Sequence, residues 1–122
     1  MKRGEIYDAH LEPTEGSEQG GTRPVVIVSR NIINANSSVV LAVPCTTYRS
    51  TKRVFPTQVL IQAPDGGLAQ DSIAMAVKVR VLAKSRFLRL RGNLSGKAIA
   101  QLNRALLIAL DLPGELEEEN NT

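Results

Sequence analysis

The hydrophobic pattern of this chain alternates more than it cycles. Between residues 72 and 82, Ile73, Met75, Val77, Val79 and Val81 fall on one side, and Ala74, Ala76, Lys78, Arg80 and Leu82 on the other. A period of two with one apolar face predicts a single strand over 72–82. Further strands are predicted over 4–11, 23–29, 39–48, 57–62 and 87–93. The run Val25-Val26-Ile27-Val28 suits a half- or fully buried strand, and Pro24 before it is tolerated where a ladder donor can be spared. Pro44 inside the 39–48 segment predicts an edge position or a bulge. In 87–93, Leu88 and Leu90 alternate with Arg89 and Arg91.

Three segments break the alternation. Residues 12–22 are polar and glycine-rich, and read as a loop. Residues 31–38, rich in Asn and Ser around an Ile-Ile pair, predict a turn or one helical turn, and Pro64-Asp65-Gly66-Gly67 reads as a turn. Residues 96–112 switch to helical spacing at Ile99, Leu102, Leu106 and Leu110, with Ser95 as N-cap and Pro113-Gly114 as the stop. Leu107 and Ile108 widen the apolar face, so this helix is deeply embedded or meets a second subunit. Short strands closed by one helix predict a mainly β (α+β) fold, a small curved barrel. The 122 residues fit one domain, over 1–114, with an acidic, disordered tail over 115–122.

Charge adds a direction. Residues 1–48 hold four Lys/Arg against five Asp/Glu, residues 49–104 eleven against two, and residues 105–122 none against five. A cationic middle fits a polyanionic partner such as nucleic acid, or a solvated basic face. With one cysteine and one histidine, disulfides and multi-cysteine metal sites are excluded, and no metal or cofactor is expected. Cys45, among apolar neighbours, reads as a buried hydrophobe. MKRGEIYDAH lacks the apolar stretch of a signal peptide, and no run approaches the ~18 apolar residues of a membrane span, so a cytoplasmic protein without membrane contact is expected.

The candidate chemistry gathers in 16–28, GSEQGGTRPVVIV, where Glu18, Gln19 and Arg23 precede a strand. An arginine fork grips phosphate oxygens and stabilises developing charge. Arginine stays protonated and is a poor base, so Glu18 is the base on offer. The ordinary alternatives are a solvated Glu18 and an Arg23 paired with Glu18 or Glu5. His10 has a suitable pKa range but sits on the outer side of its strand.

Two ordered blocks carry a resemblance. Arg3-Gly4-Glu5-Ile6-Tyr7, Leu11-x-Pro13, Gly16-Ser17-Glu18-Gln19 and Gly21-x-Arg23-Pro24 form the first, and Val43-Pro44-Cys45-Thr46-Thr47 the second. They resemble the MazF/PemK (Kid) family of type II toxins, small endoribonucleases. The resemblance is high over 3–48, thinner over 56–93, and little more than a helix beyond. It implies an SH3-like β-barrel of the CcdB/Kid/MazF toxin type with a C-terminal α-helix, acting as a homodimer. It implies metal-independent, sequence-specific cleavage of single-stranded RNA, restrained by a cognate antitoxin with an acidic, disordered tail. Arg23 and Thr46 would be the catalytic pair, with Glu18 matching an acidic loop position. Ser17, Gln19, Thr47, Tyr48, Lys78 and Arg80 would bind substrate. The chain departs from the Kid branch, which has histidine at Ser17 and an acidic residue near 77–80. Two other classes stay open: a CcdB-like toxin that binds gyrase without cutting, and a basic SH3-like nucleic-acid-binding module.

Overall fold

A computed structural model of the chain describes residues 1–11 and 21–113. The loop residues Ser17, Glu18 and Gln19, and the acidic tail, lie outside the described residues. The elements run β1 (Glu5–Leu11), β2 (Gly21–Ile27), α1 (Asn31–Asn36), β3 (Val39–Thr47), β4 (Gln58–Ile61), β5 (Ser72–Met75), β6 (Arg80–Ala83), β7 (Phe87–Asn93) and α2 (Gly96–Leu110). Seven antiparallel strands form one sheet in the order β4-β5-β3-β2-β1-β7, with β6 also paired to β3. The mainly β reading and the single long C-terminal helix agree with the pattern of the sequence.

Two apolar clusters hold this sheet. The larger joins Ile6, Val26, Val43, Cys45, Ile61 and Ala74 to Ala98, Leu102 and Ala105 of α2. The smaller holds Ala9, Leu11, Val25, Ala42 and Leu82, with Tyr7 and Phe87 packed against it. The Tyr7 and Phe87 rings meet edge to face, centroids 5.4 Å apart. Burial in the low-dielectric interior, then the nearby Glu5 carboxylate, raises the Tyr7 pKa above its ordinary value. Ser95 caps α2 by accepting from the Ala98 N–H at 3.2 Å, and its hydroxyl donates to Asp65 Oδ2 at 2.7 Å. Asp111, left-handed at φ 54°, ends the helix before Pro113. Among the described residues no helix is long and apolar enough to cross a membrane.

One expectation is corrected and another is narrowed. The 72–82 segment is two strands separated by a helical turn at Ala76–Lys78. Both pair with the same edge of β3, but Cys45 faces Ala74 while Ala42 faces Arg80. Three steps along β3 thus meet six along the partner, and the turn takes up the three extra residues. It also turns Val77 and Val81 outward, at 60% and 58% exposure, against the alternation that placed them with Ile73.

Pro44 is not on an edge strand, because β3 lies inside the sheet. The Val28 N–H donates to the Leu41 carbonyl at 2.9 Å. From there hydrogen-bonded and open pairs alternate, and Val25↔Pro44 is an open pair. The Pro44 nitrogen therefore faces the other side of β3. There the β6 pairs end at Ala42 and the β5 pairs begin at Cys45, so Pro44 stands at the break where the partner carries its three extra residues, which is the bulge alternative of the sequence reading.

Candidate active site

The same alternation explains how the site opens. Continuing the β2–β3 ladder past Val25↔Pro44 makes Pro24 the next residue asked to donate. It has no N–H, and the ladder stops there. Arg23 and Thr46 stand just beyond the stop. Extending the register by two residues sets them opposite each other, and strand alternation puts both on the face of Val25 and Pro44. Arg80 shares that face, since it pairs with Ala42 four residues along β3. All three are half-buried.

Arg23 sits within β2, paired with Ala9 of β1. Glu5 lies four residues along β1 from that position, and its carboxylate accepts from the Lys2 N–H at 2.6 Å and the Tyr7 hydroxyl at 3.3 Å. The smaller core cluster, through Ala9, Leu11 and Val25, supports the Arg23 end of the sheet. Thr46 is fixed from the other side by pairing with Ile73 of β5.

Thr47 and Pro24 point to the opposite face. The Thr47 hydroxyl donates to Gln70 Oε1 at 3.3 Å, and its carbonyl accepts from Lys52 Nζ at 3.3 Å. The Tyr48 N–H donates to the Asp71 carbonyl at 2.8 Å, and the Tyr48 ring is half-buried at the strand end. Lys78 is held in the turn between β5 and β6. Thus Arg23, Thr46 and Arg80 share one face, Thr47 serves the other, and Lys78 borders the β3 edge. His10 is exposed on β1, and its carbonyl accepts from Arg86 Nη1 at 3.4 Å. Cys45 is fully buried, and burial alone pushes its thiol from 9.0 up to about 12. Among the described residues no three His, Cys, Asp or Glu side chains gather where they could hold a metal ion.

One polar group escaped the sequence reading. Asp8 accepts from Arg89 Nε at 3.1 Å and from Arg91 Nη1 at 3.3 Å. Arg89 remains 68% exposed, whereas Arg91 and Asp8 are each only 17% exposed. The signal available was Gly92 beside Arg91 together with the Gly66-Gly67 turn. A side chain on Gly67 would place its Cβ 2.0 Å from the Arg91 carbonyl oxygen, and one on Gly92 would lie 2.9 Å from the Gly66 carbonyl carbon. The glycines let the turn pack on β7 beside Arg91.

Comparison with known proteins bears on this geometry. The chain is 40% identical over 117 residues to Endoribonuclease MazF9 of Mycobacterium tuberculosis, covering 92% of this chain and 98% of that one. It is 39% identical over 112 residues to Endoribonuclease MazF of Staphylococcus saprophyticus, covering 92% of each. A solved endoribonuclease from a mycobacterial species, in complex with its cognate antitoxin, superposes with a TM-score of 0.77 at 30% identity, over 93% of this chain and 98% of that one. Residues 2–110 match the family described as PemK-like, MazF-like toxin of type II toxin-antitoxin system. With that match spanning nearly every described residue, and with relatives about 40% identical over 92% of its length, the chain belongs to the PemK-like, MazF-like toxin family.

Proposed function

We propose that this toxin-family endoribonuclease cuts single-stranded RNA at specific sequences without a metal ion, the ribose 2′-hydroxyl attacking the adjacent phosphorus. The new bond from O2′ to phosphorus expels the 5′ oxygen, leaving a 2′,3′-cyclic phosphate and a 5′-hydroxyl. Three tasks follow: removal of the 2′ proton, stabilisation of charge on the phosphorane oxygens, and protonation of the leaving oxygen. Arg23 takes the second through its guanidinium fork and can donate in the third. Thr46 donates its hydroxyl to a non-bridging oxygen. Glu18 is the assigned base. Lys78 and Arg80 hold the RNA backbone, and Ser17, Gln19, Thr47 and Tyr48 hold bases or sugars.

The observation that supports this reading is the β2–β3 register, which, extended two residues past its last pair Val25↔Pro44, brings Arg23 and Thr46 opposite each other on one face. The family match favours cutting over gyrase binding. Residues 1–114 act as one domain in the cytoplasm. Two chains form a symmetric dimer, supported by exposed apolar side chains such as Val77, Leu88 and Leu110. The mycobacterial relative is in complex with its cognate antitoxin, and an antitoxin of this chain restrains it through an acidic segment that competes with RNA for the cationic groove.

The test is mass spectrometry of products made in EDTA. Cyclic phosphate and 5′-hydroxyl ends are expected. A 3′-hydroxyl with a 5′-phosphate, or no cutting, refutes the mechanism.

A further inference from the structure

Behind the Arg23 and Thr46 face lies a cleft of about 210 Å³, lined by Pro24, Thr47, Leu68, Gln70, Ser72 and Arg91 among others. It is below the ~300 Å³ at which drug-sized pockets begin, a size that suits one flat base. Pro24 and Thr47 are the immediate neighbours of Arg23 and Thr46, so the cleft and the proposed cutting site share the same strand ends.

Its polar wall is built rather than incidental. Arg91 Nε donates to the Gly67 carbonyl at 3.2 Å, and Nη1 donates to both oxygens of Asp8 at 3.3 and 3.4 Å. Those bonds immobilise the guanidinium plane. Nη2 donates to no acceptor among the described residues. Across the cleft, Gln70 accepts from Thr47 through its carbonyl oxygen, which leaves the amide nitrogen to donate. Pro24 and Leu68 add apolar surface. A fixed planar cation with unspent donors, an amide and an apolar floor make a reader of base edges more than a grip for a phosphate, which flexible exposed cations would serve.

We infer that this cleft is the subsite for one base flanking the cut, in which Arg91, aimed by Asp8, selects guanine or uracil. The inference rests on the nuclease reading above. Guanine O6 and uracil O4 present carbonyl acceptors to Arg91 and Gln70. The exocyclic amines of adenine and cytosine are donors and would face donors. Arg91 is a specificity-determining residue here, and Asp8 is a positioning residue that acts through it.

The full-length protein and its Arg91→Ala, Arg91→Lys, Asp8→Asn and Gln70→Ala variants are given two randomised single-stranded RNA libraries. One is cleavable and its cut ends are sequenced. The other carries 2′-O-methyl riboses throughout, and the retained molecules are sequenced. The wild type should favour G or U at one position beside the cut. Arg91→Ala should flatten that preference about tenfold or more, leaving other positions unchanged. Arg91→Lys should rescue little, because the fork is lost. Asp8→Asn and Gln70→Ala should relax the same position by less.

An unchanged profile in a folded Arg91→Ala protein overturns the inference, as does a wild-type preference for A or C there. So does a uniform loss of binding at all positions, or weakened antitoxin binding with the base profile intact. If Arg91→Ala does not fold, Asp8→Asn and Gln70→Ala decide on the same criterion. Enrichment of G or U in the uncleavable library, without cutting of the other, would sink the nuclease reading and leave the subsite standing. Retention of neither library by the wild type refutes both.

Discussion

The two apolar clusters of this molecule differ in what closes them. Among the described residues, the larger counts thirteen buried side chains and is sealed by α2 through Ala98, Leu102 and Ala105. The smaller counts five and runs out towards half-buried Arg23 and Thr46. A sealed cluster can be packed for stability alone. An open one must also hold half-buried polar groups in place where water reaches them. The difference teaches where damage should show. Lesions in the larger cluster should change how much protein is folded, and lesions in the smaller should also change what the folded protein can do.

The largest expected stability effect is on the sealed side. Leu102, 3% exposed, packs α2 onto the sheet, and Leu102→Ala should lower unfolding free energy by about 2–5 kcal/mol. Urea denaturation measures this. The cutting rate per folded molecule should not move, and a large fall in that rate would erase the contrast between the clusters. Val25→Ala probes the other side. Two buried methyl groups correspond to a cost of about 1.5–2 kcal/mol. Val25 lies two residues from Arg23 on the same face, so cutting should fall by more than the folded fraction explains. An activity loss that matches the folded fraction would show that the small cluster does not hold the site.

A smaller effect is expected at the N-cap of α2. Ser95→Ala removes the bond to Ala98 and should cost about 1 kcal/mol, with cutting unchanged. The smallest concerns Cys45 in the sealed cluster. With its thiol pushed up to about 12, it should resist alkylation at pH 8 until the chain unfolds. The unfolded thiol loses its proton near 9.0 while the folded one keeps it to about 12. Its contribution is therefore full below pH 9 and is lost as pH rises through that window. Fast labelling of native protein would place Cys45 at a surface.

These contrasts follow features of unequal visibility in the sequence. The strands outside 72–82, the Pro64-Asp65-Gly66-Gly67 turn and the Ser95 cap are local, and each is where the pattern puts it. The proposed partnership of Arg23 with Thr46 is implied by two residue blocks, and the β2–β3 register, carried two residues beyond Val25↔Pro44, is compatible with it. Periodicity failed at 76–78, because a three-residue turn that shifts register preserves the look of alternation. Pro44 marks an irregularity in the pairing rather than an edge, a choice its sequence left open because a missing donor can be tolerated in either setting. Arg91 was counted only as one cation of the 49–104 stretch, since charge composition carries no information on burial, and its partner Asp8 is 83 residues away. Glu18, Ser17 and Gln19 fall outside the described residues, so their roles rest on the sequence.

The central claim is that Arg23 and Thr46 together stabilise the cutting of RNA. Single-turnover cleavage of one RNA by wild type, Arg23→Ala, Arg23→Lys and Thr46→Ala tests it, with circular dichroism to confirm the fold. Each alanine variant should be about a hundredfold slower or more, the scale on which a charge-stabilising donor acts. Arg23→Lys should recover little, since the bidentate fork is gone. Near-wild-type turnover in both folded alanine variants would contradict the account.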